Sequence, residues 1–252
     1  MKKILLLVTI LLMSTIWSVR ADTYNFSDSG RFADAHIYSS ATNNNYGANT
    51  TIIQSSGRAI LWRLEDNWFD SLGADKDVDS IVCSLRVNST AGLDSIPVYL
   101  VWKSDCWVEG TGTTATPTAA GASWNDWDGP NSEWAVAGCG QGNDAGSYNC
   151  TDAGGDDRKV SVEDTLFTEN TTGWKTFRIT GASAQAMYDA GRAICVLLGT
   201  NSQFLTDFHS REATSASNRP RMTVYYQSVT PPSAGGSNVV IRGSVIQGAV
   251  IR

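Results

Sequence analysis

Alternation of apolar and polar residues with a period of two is what most constrains this chain. In Ile81-Val82-Cys83-Ser84-Leu85-Arg86-Val87, the residues Ile81, Cys83, Leu85 and Val87 fall on one face, with Ser84 and Arg86 on the other. Successive strand side chains point to opposite sides of a sheet, so this segment reads as a half-buried strand with one wet face. Shorter runs of the same kind occur at 35–38, 51–54, 59–64, 97–102, 176–180, 193–198, 204–208 and 221–226, parted by turn residues. So many short strands without helices between them predict an all-β antiparallel sandwich rather than an α/β fold. One short helix is predicted at 182–190. There Ala186, Met187 and Ala190 recur near helical spacing and Gly191 supplies a stop.

The chain ends read differently. Lys2 and Lys3 precede a nearly unbroken apolar run from Ile4 to Trp17, and Val19-Arg20-Ala21 offers small residues at a cleavage site. Residues 1–21 therefore read as a secretory signal. The run is shorter than the roughly 20 residues of a membrane span; an uncleaved N-terminal anchor is the alternative. No second run of spanning length follows, which predicts a secreted or cell-surface protein without an integral membrane span. Removing residues 1–21 takes away Lys2, Lys3 and Arg20 and no acid. That leaves 16 basic against 25 acidic residues, a net charge of −9. Such a balance argues against nucleic acid or an anionic membrane as partner, since both are bound by basic stripes.

Residues 22–229 are predicted to form the sandwich, 230–238 a Pro/Gly/Ser linker, and 239–252 a tail with a five-residue period. The tail reads Val240-Ile241-Arg242-Gly243-Ser244, Val245-Ile246-Gln247-Gly248-Ala249, Val250-Ile251-Arg252. A β-branched apolar tail of this kind invites strand addition, making a homo-oligomer through 239–252 one expectation and an ordinary frayed tail the other. Residues 104–158 form a long insert rich in Gly, Thr, Asn and Trp. Its four tryptophans, Trp107, Trp124, Trp127 and Trp134, argue against disorder. The chain has five cysteines. Cys139 and Cys150 flank a Gly/Asn/Asp-rich loop and make the best disulfide pair. Cys83 and Cys195 sit in apolar strand patterns and read as core residues, with a cross-sheet bridge as the alternative.

Eight short segments in order resemble the DNRLRE domain family, also classed as carbohydrate-binding module family 96 and including repeats related to archaeal disaggregatase. Ala33-Asp34-Ala35-His36-Ile37-Tyr38 is similar to the family's "DAYV" strand, Asn43-Asn44-Asn45-Tyr46-Gly47 to its "NTNYG" turn, and Leu61-Trp62-Arg63-Leu64-Glu65 to "LLRFD". Residues 80–87 fall at its "SATLRLYV" strand, Trp107-Val108-Glu109-Gly110-Thr111 at "WTEGT", and Gly121-Ala122-Ser123-Trp124-Asn125 at "GATWN". Phe208-His209-Ser210-Arg211-Glu212 and the strand opening at Arg219-Pro220-Arg221 match its close. The chain departs from the pattern in a longer connection at 66–76, a glycine-rich stretch at 140–157, and a loosely kept segment at 174–188. The resemblance covers about residues 31–227. It implies a jelly-roll-like sandwich and a secreted or cell-surface protein, with polysaccharide binding known for some members.

Sugars stack their C–H faces on aromatic rings while carboxylates and amides bond the hydroxyls. Trp127 and Trp134, with Asp126 and Asp128 beside them, are the expected ligand-binding residues, and Trp68 in the longer connection is a further one. Trp107 and Trp124 lie on motif segments and read first as packing residues. Asp34, Asn43 and Asn45 could give oxygen ligands to a structural calcium ion, the only cofactor considered; the competing reading of Asn43–Gly47 is a plain turn. Arg211, Glu212 and Arg219 read as a salt-bridged lock. Only two histidines are present, His36 and His209, and no GxSxG or HExxH signature occurs. The expected function is therefore a non-catalytic module binding an extracellular polysaccharide. A self-associating surface protein and a polysaccharide lyase or hydrolase are the alternatives.

Overall fold

In the computed structural model, residues 21–64, 67–101, 107–113, 121–129, 132–135, 137–140, 157–199 and 204–229 are described. The signal segment, the linker and tail at 230–252, and Cys150 lie outside them.

Among the described residues, eleven antiparallel strands form two sheets. The strands are β1 (Asp22–Phe26), β2 (Phe32–Tyr38), β3 (Thr51–Gln54), β4 (Arg58–Leu64), β5 (Lys76–Thr90), β6 (Ser95–Leu100), β7 (Asp164–Phe167), β8 (Gly173–Thr180), β9 (Ile194–Leu198), β10 (Thr206–His209) and β11 (Arg221–Ser228). The first sheet runs β1-β11-β5-β10-β3, with β8 pairing along the long β5. The second runs β2-β4-β9-β6-β7. This is the expected all-β sandwich. Its helices are α1 (Trp68–Leu72) and α2 (Gly181–Asp189). The second meets the expectation at 182–190, although Ala184 rather than Ala186 joins Met187 in facing the sheets. The first lies in the longer connection, where no helix was expected. No helix among the described residues is long and apolar enough to cross a membrane.

The alternation read at 81–87 is realised in β5. Ile81, Cys83, Leu85 and Val87 are buried between the sheets, while Val82, Ser84 and Arg86 are half-buried on the outer face. A register shift where β11 crosses β5, between Tyr225 and Tyr226, lets Val78 face inward three residues before Ile81. In the core, Trp62 of the second sheet stacks on Phe32 at 5.3 Å and meets Phe177 of the first sheet edge-on at 6.1 Å.

The second sheet does not alternate. β2, β4 and β9 are buried along nearly their whole length. Phe32, Ile60, Trp62, Ile194 and Val196 point into the sandwich. Ala33, Ala35, Ile37, Ala59, Leu61, Cys195 and Leu197 point outward into a separate apolar cluster. Strands buried on both faces carry continuous apolar runs, as these do. The described part of the 104–158 insert covers this face with Trp107, Ala122, Trp134 and Cys139, Trp124 and Trp127 pack against them, and Val101 just before the insert joins the same cluster.

This arrangement decides the cysteines. Cys83 lies in the inner core and Cys195 in the outer cluster, on opposite sides of the second sheet, so the cross-sheet bridge is ruled out. Among the described residues there is no disulfide. Cys139 is buried, with its thiol 3.8 Å from the Asp157 carbonyl. Its expected partner Cys150 falls outside the described residues.

Candidate functional site

The insert is organised around its tryptophans. Trp107 is fully buried, and its indole N–H donates to Cys195 Sγ at 2.9 Å. The Arg63 guanidinium lies over its ring at 5.0 Å and donates to its carbonyl at 2.9 Å. Trp134 donates to the Ser123 carbonyl at 3.0 Å. Residues 123–129 and 132–134 lie antiparallel to each other. Their ties run from the Trp127 amide to the Ser132 carbonyl, from the Trp134 amide to the Asn125 carbonyl, and through a bridge between Asp126 and Glu133. Burial raises the Asp126 carboxyl, the Ser123 hydroxyl bonded to it lowers it, and Glu133 raises it again, leaving a net rise.

Between the second sheet and the described part of the insert lies a cleft of about 180 Å³, room for roughly six water molecules. Tyr99 of β6 and Trp124 of the insert line it, both half-buried. Gly138 lies so close to the Trp124 ring that a Cβ there would collide with it at 2.7 Å. Arg158 closes one side, its guanidinium stacked 3.9 Å over the Tyr99 ring. It donates to the carbonyls of Cys139, Lys159 and Gly140 at 3.0, 2.9 and 3.2 Å. A guanidinium has five N–H groups, so two remain for a ligand. No carboxylate among the described residues pairs with it.

Of the residues singled out from sequence, Trp127 and Asp128 are half-buried in the 123–129 stretch. Trp134 and Asp126 are buried. Trp68 is fully buried, with its indole N–H donating to the Arg192 carbonyl at 2.7 Å, and Tyr188 sits edge-on to it at 6.1 Å. Neither Trp68 nor Trp134 has a ring face to offer a sugar. Trp124, expected as a packing residue, does line the cleft. Tyr99 and Arg158 were not singled out from sequence. An outward tyrosine in an otherwise apolar strand was the available signal for the first, and no local signal marked the second.

The motif segments meet elsewhere, at the β2 edge. Asn45 Nδ2 donates to the carbonyls of Glu109 and Ala122 at 2.6 and 2.9 Å, and its Oδ1 accepts from the amides of Gly47 and Gly112 at 3.2 and 2.9 Å. All four positions of the carboxamide are thus taken by backbone, leaving none for a metal. Asn43 is exposed and accepts from Asn125 Nδ2 at 2.7 Å. Of the expected calcium set Asp34, Asn43 and Asn45, the two asparagines are thus engaged with protein groups, and the backbone turns at 41–44 and 46–49.

Asp34 instead gathers with Glu109 and Glu212, one carboxylate oxygen from each lying within 4.8 Å of the others. Arg211 sits among them. Its side chain pairs with Glu109 and Glu212, and its amide donates to Asp34 Oδ2 at 2.7 Å. The Asp34 amide donates to Glu109 Oε1 at 2.7 Å. The lock read at 211–219 is thus formed by Arg211 and Glu212 with Glu109 and Asp34; Arg219 Nε donates to the Ala213 carbonyl at 2.9 Å. Burial is the main cause that pushes the Asp34 carboxyl well up, and the Glu212 and Glu109 charges add to it against the Arg211 contacts. Nearby, His36 stacks on Tyr46 at 4.2 Å. Burial, helped by the Arg58 charge, lowers its pKa to about 3, so the imidazole is neutral. No protein-family model matches the chain, and no curated protein matches it.

Proposed function

We propose that this chain is a secreted, non-catalytic module that binds an extracellular polysaccharide in the cleft on the outer face of the second sheet. The observation that carries the reading is the pairing of two half-buried rings, Tyr99 and Trp124, around a small open cleft with Arg158 at its side. Aromatic faces take the C–H face of a sugar, and the two remaining guanidinium N–H groups take a hydroxyl or a sugar carboxylate. The ordered motifs that resemble DNRLRE domains support the same ligand class. Affinity electrophoresis through neutral and uronate-containing polysaccharides tests it. The mature chain is retarded by at least one gel, and Trp124→Ala weakens binding about tenfold or more, as loss of an aromatic anchor does. Migration unaltered in every gel defeats the reading. Release of reducing or unsaturated ends would favour a degradative enzyme instead.

A further inference from the structure

We propose that Asp34, Glu109 and Glu212 hold a divalent cation of the calcium class at the β2 edge. The site is separate from the cleft and does not depend on glycan binding.

Crowding of carboxylates is the first argument. Asp34, Glu109 and Glu212 gather around the Arg211 guanidinium, and Asp34 is fully buried. Burial disfavours the charged form of Asp34, and a cation held between the three would favour it.

Unsatisfied oxygens are the second. Asp34 Oδ1 and Glu212 Oε2 are buried and have no hydrogen-bond partner among the described residues, although Arg211 is already engaged with this cluster. Buried polar atoms are nearly always satisfied, so these two oxygens are the ones a cation would take up.

The donor set and its spread name the ligand class. Carboxylate oxygens alone suit hard cations rather than zinc or copper. Calcium binds oxygen at about 2.3–2.6 Å, so two of its ligands lie at most about 5 Å apart; magnesium, at about 2.0–2.1 Å, draws them closer. Oxygens that all lie within 4.8 Å of one another can share one such ion. Solvent reaches the cluster past Arg211 and Glu212, whose side chains are 27% and 26% exposed, giving the ion a way in and water to complete its shell.

Chelator-treated mature protein, titrated with calcium chloride in a calorimeter, tests this. The expected result is one calcium ion per chain, a higher melting temperature with calcium than with chelator, and a weaker response to magnesium. Asp34→Asn and Glu212→Gln each abolish that uptake while keeping the wild-type circular dichroism. Absence of calcium uptake by the wild type, or uptake equal in both variants, overturns the proposal. Should both variants fail to fold, wild-type crystals soaked in a lanthanide replace them. An anomalous peak among the three carboxylates supports the site, and its absence there overturns it.

Discussion

The two sheets are built from similar strands but meet different surroundings. The first has one face on the core and one toward solvent, and its strands alternate: β8 buries Lys175, Phe177 and Ile179 and exposes Thr176, Arg178 and Thr180. The second is buried on both faces, and β2, β4 and β9 lose the alternation. The lesson concerns the insert. A stretch that breaks the strand rhythm in sequence adds a third layer, its described residues packing on the apolar outer face of the second sheet. The cleft lies beside that layer.

The strongest way to break this comparison is Trp107→Ala. If the insert forms a second core, removing this fully buried ring costs about 3–5 kcal/mol, comparable with Trp62→Ala in the inner core. Urea denaturation of both variants measures it. A cost below about 1 kcal/mol for Trp107 would reduce the insert to a loosely attached loop.

A matched pair sharpens the contrast. Leu61 and Val82 both point away from the sandwich interior, Leu61 under the insert and Val82 on the open face of the first sheet. Leu61→Ala is expected to cost about 2–5 kcal/mol and Val82→Ala under about 1 kcal/mol. Equal losses would mean that the two outer faces are not differently covered.

The same contrast explains what the sequence could and could not tell. Period-two reading located the strands that meet a hydrophobic gradient, β5 most clearly. It missed β1 and β7, edge strands whose burial patterns carry almost no contrast. It took 59–64 and 193–198 for strands without revealing that both faces are covered, because an apolar run does not say what lies on each side. The exposure of the tryptophans was illegible for a related reason. Whether Trp68, Trp124 or Trp134 shows a ring face depends on packing from distant segments, as with the Arg192 carbonyl that holds the Trp68 indole. The carboxylate cluster joins Asp34 to Arg211 across 177 residues, a separation that no local pattern records. Only the adjacent Arg211-Glu212 part of it was legible.

The smallest expected effect lies just past the C-terminal end of the insert, where the two sheets are tied by Glu163. Its Oε1 accepts the Thr180 amide and hydroxyl, both at 2.7 Å, and its Oε2 accepts Ser183 Oγ at 3.0 Å, so one carboxylate binds the start of α2 to the end of β8. Burial alone would raise its pKa, but the Thr180 and Ser183 hydrogen bonds and the Lys159 charge outweigh that and hold it below the ordinary glutamate value. A carboxyl lowered on folding binds fewer protons in the folded than in the unfolded chain. Its stabilisation is therefore present above the unfolded value, about pH 4.3, and is lost as pH falls below it. Glu163→Gln should lower stability modestly at pH 7 and converge on the wild type in strong acid, since the wild-type side chain is then uncharged as well. Melting curves from pH 3 to 7 measure the two profiles. Parallel profiles would show that Glu163 contributes shape rather than charge, leaving apolar packing as the main tie between the sheets at this edge.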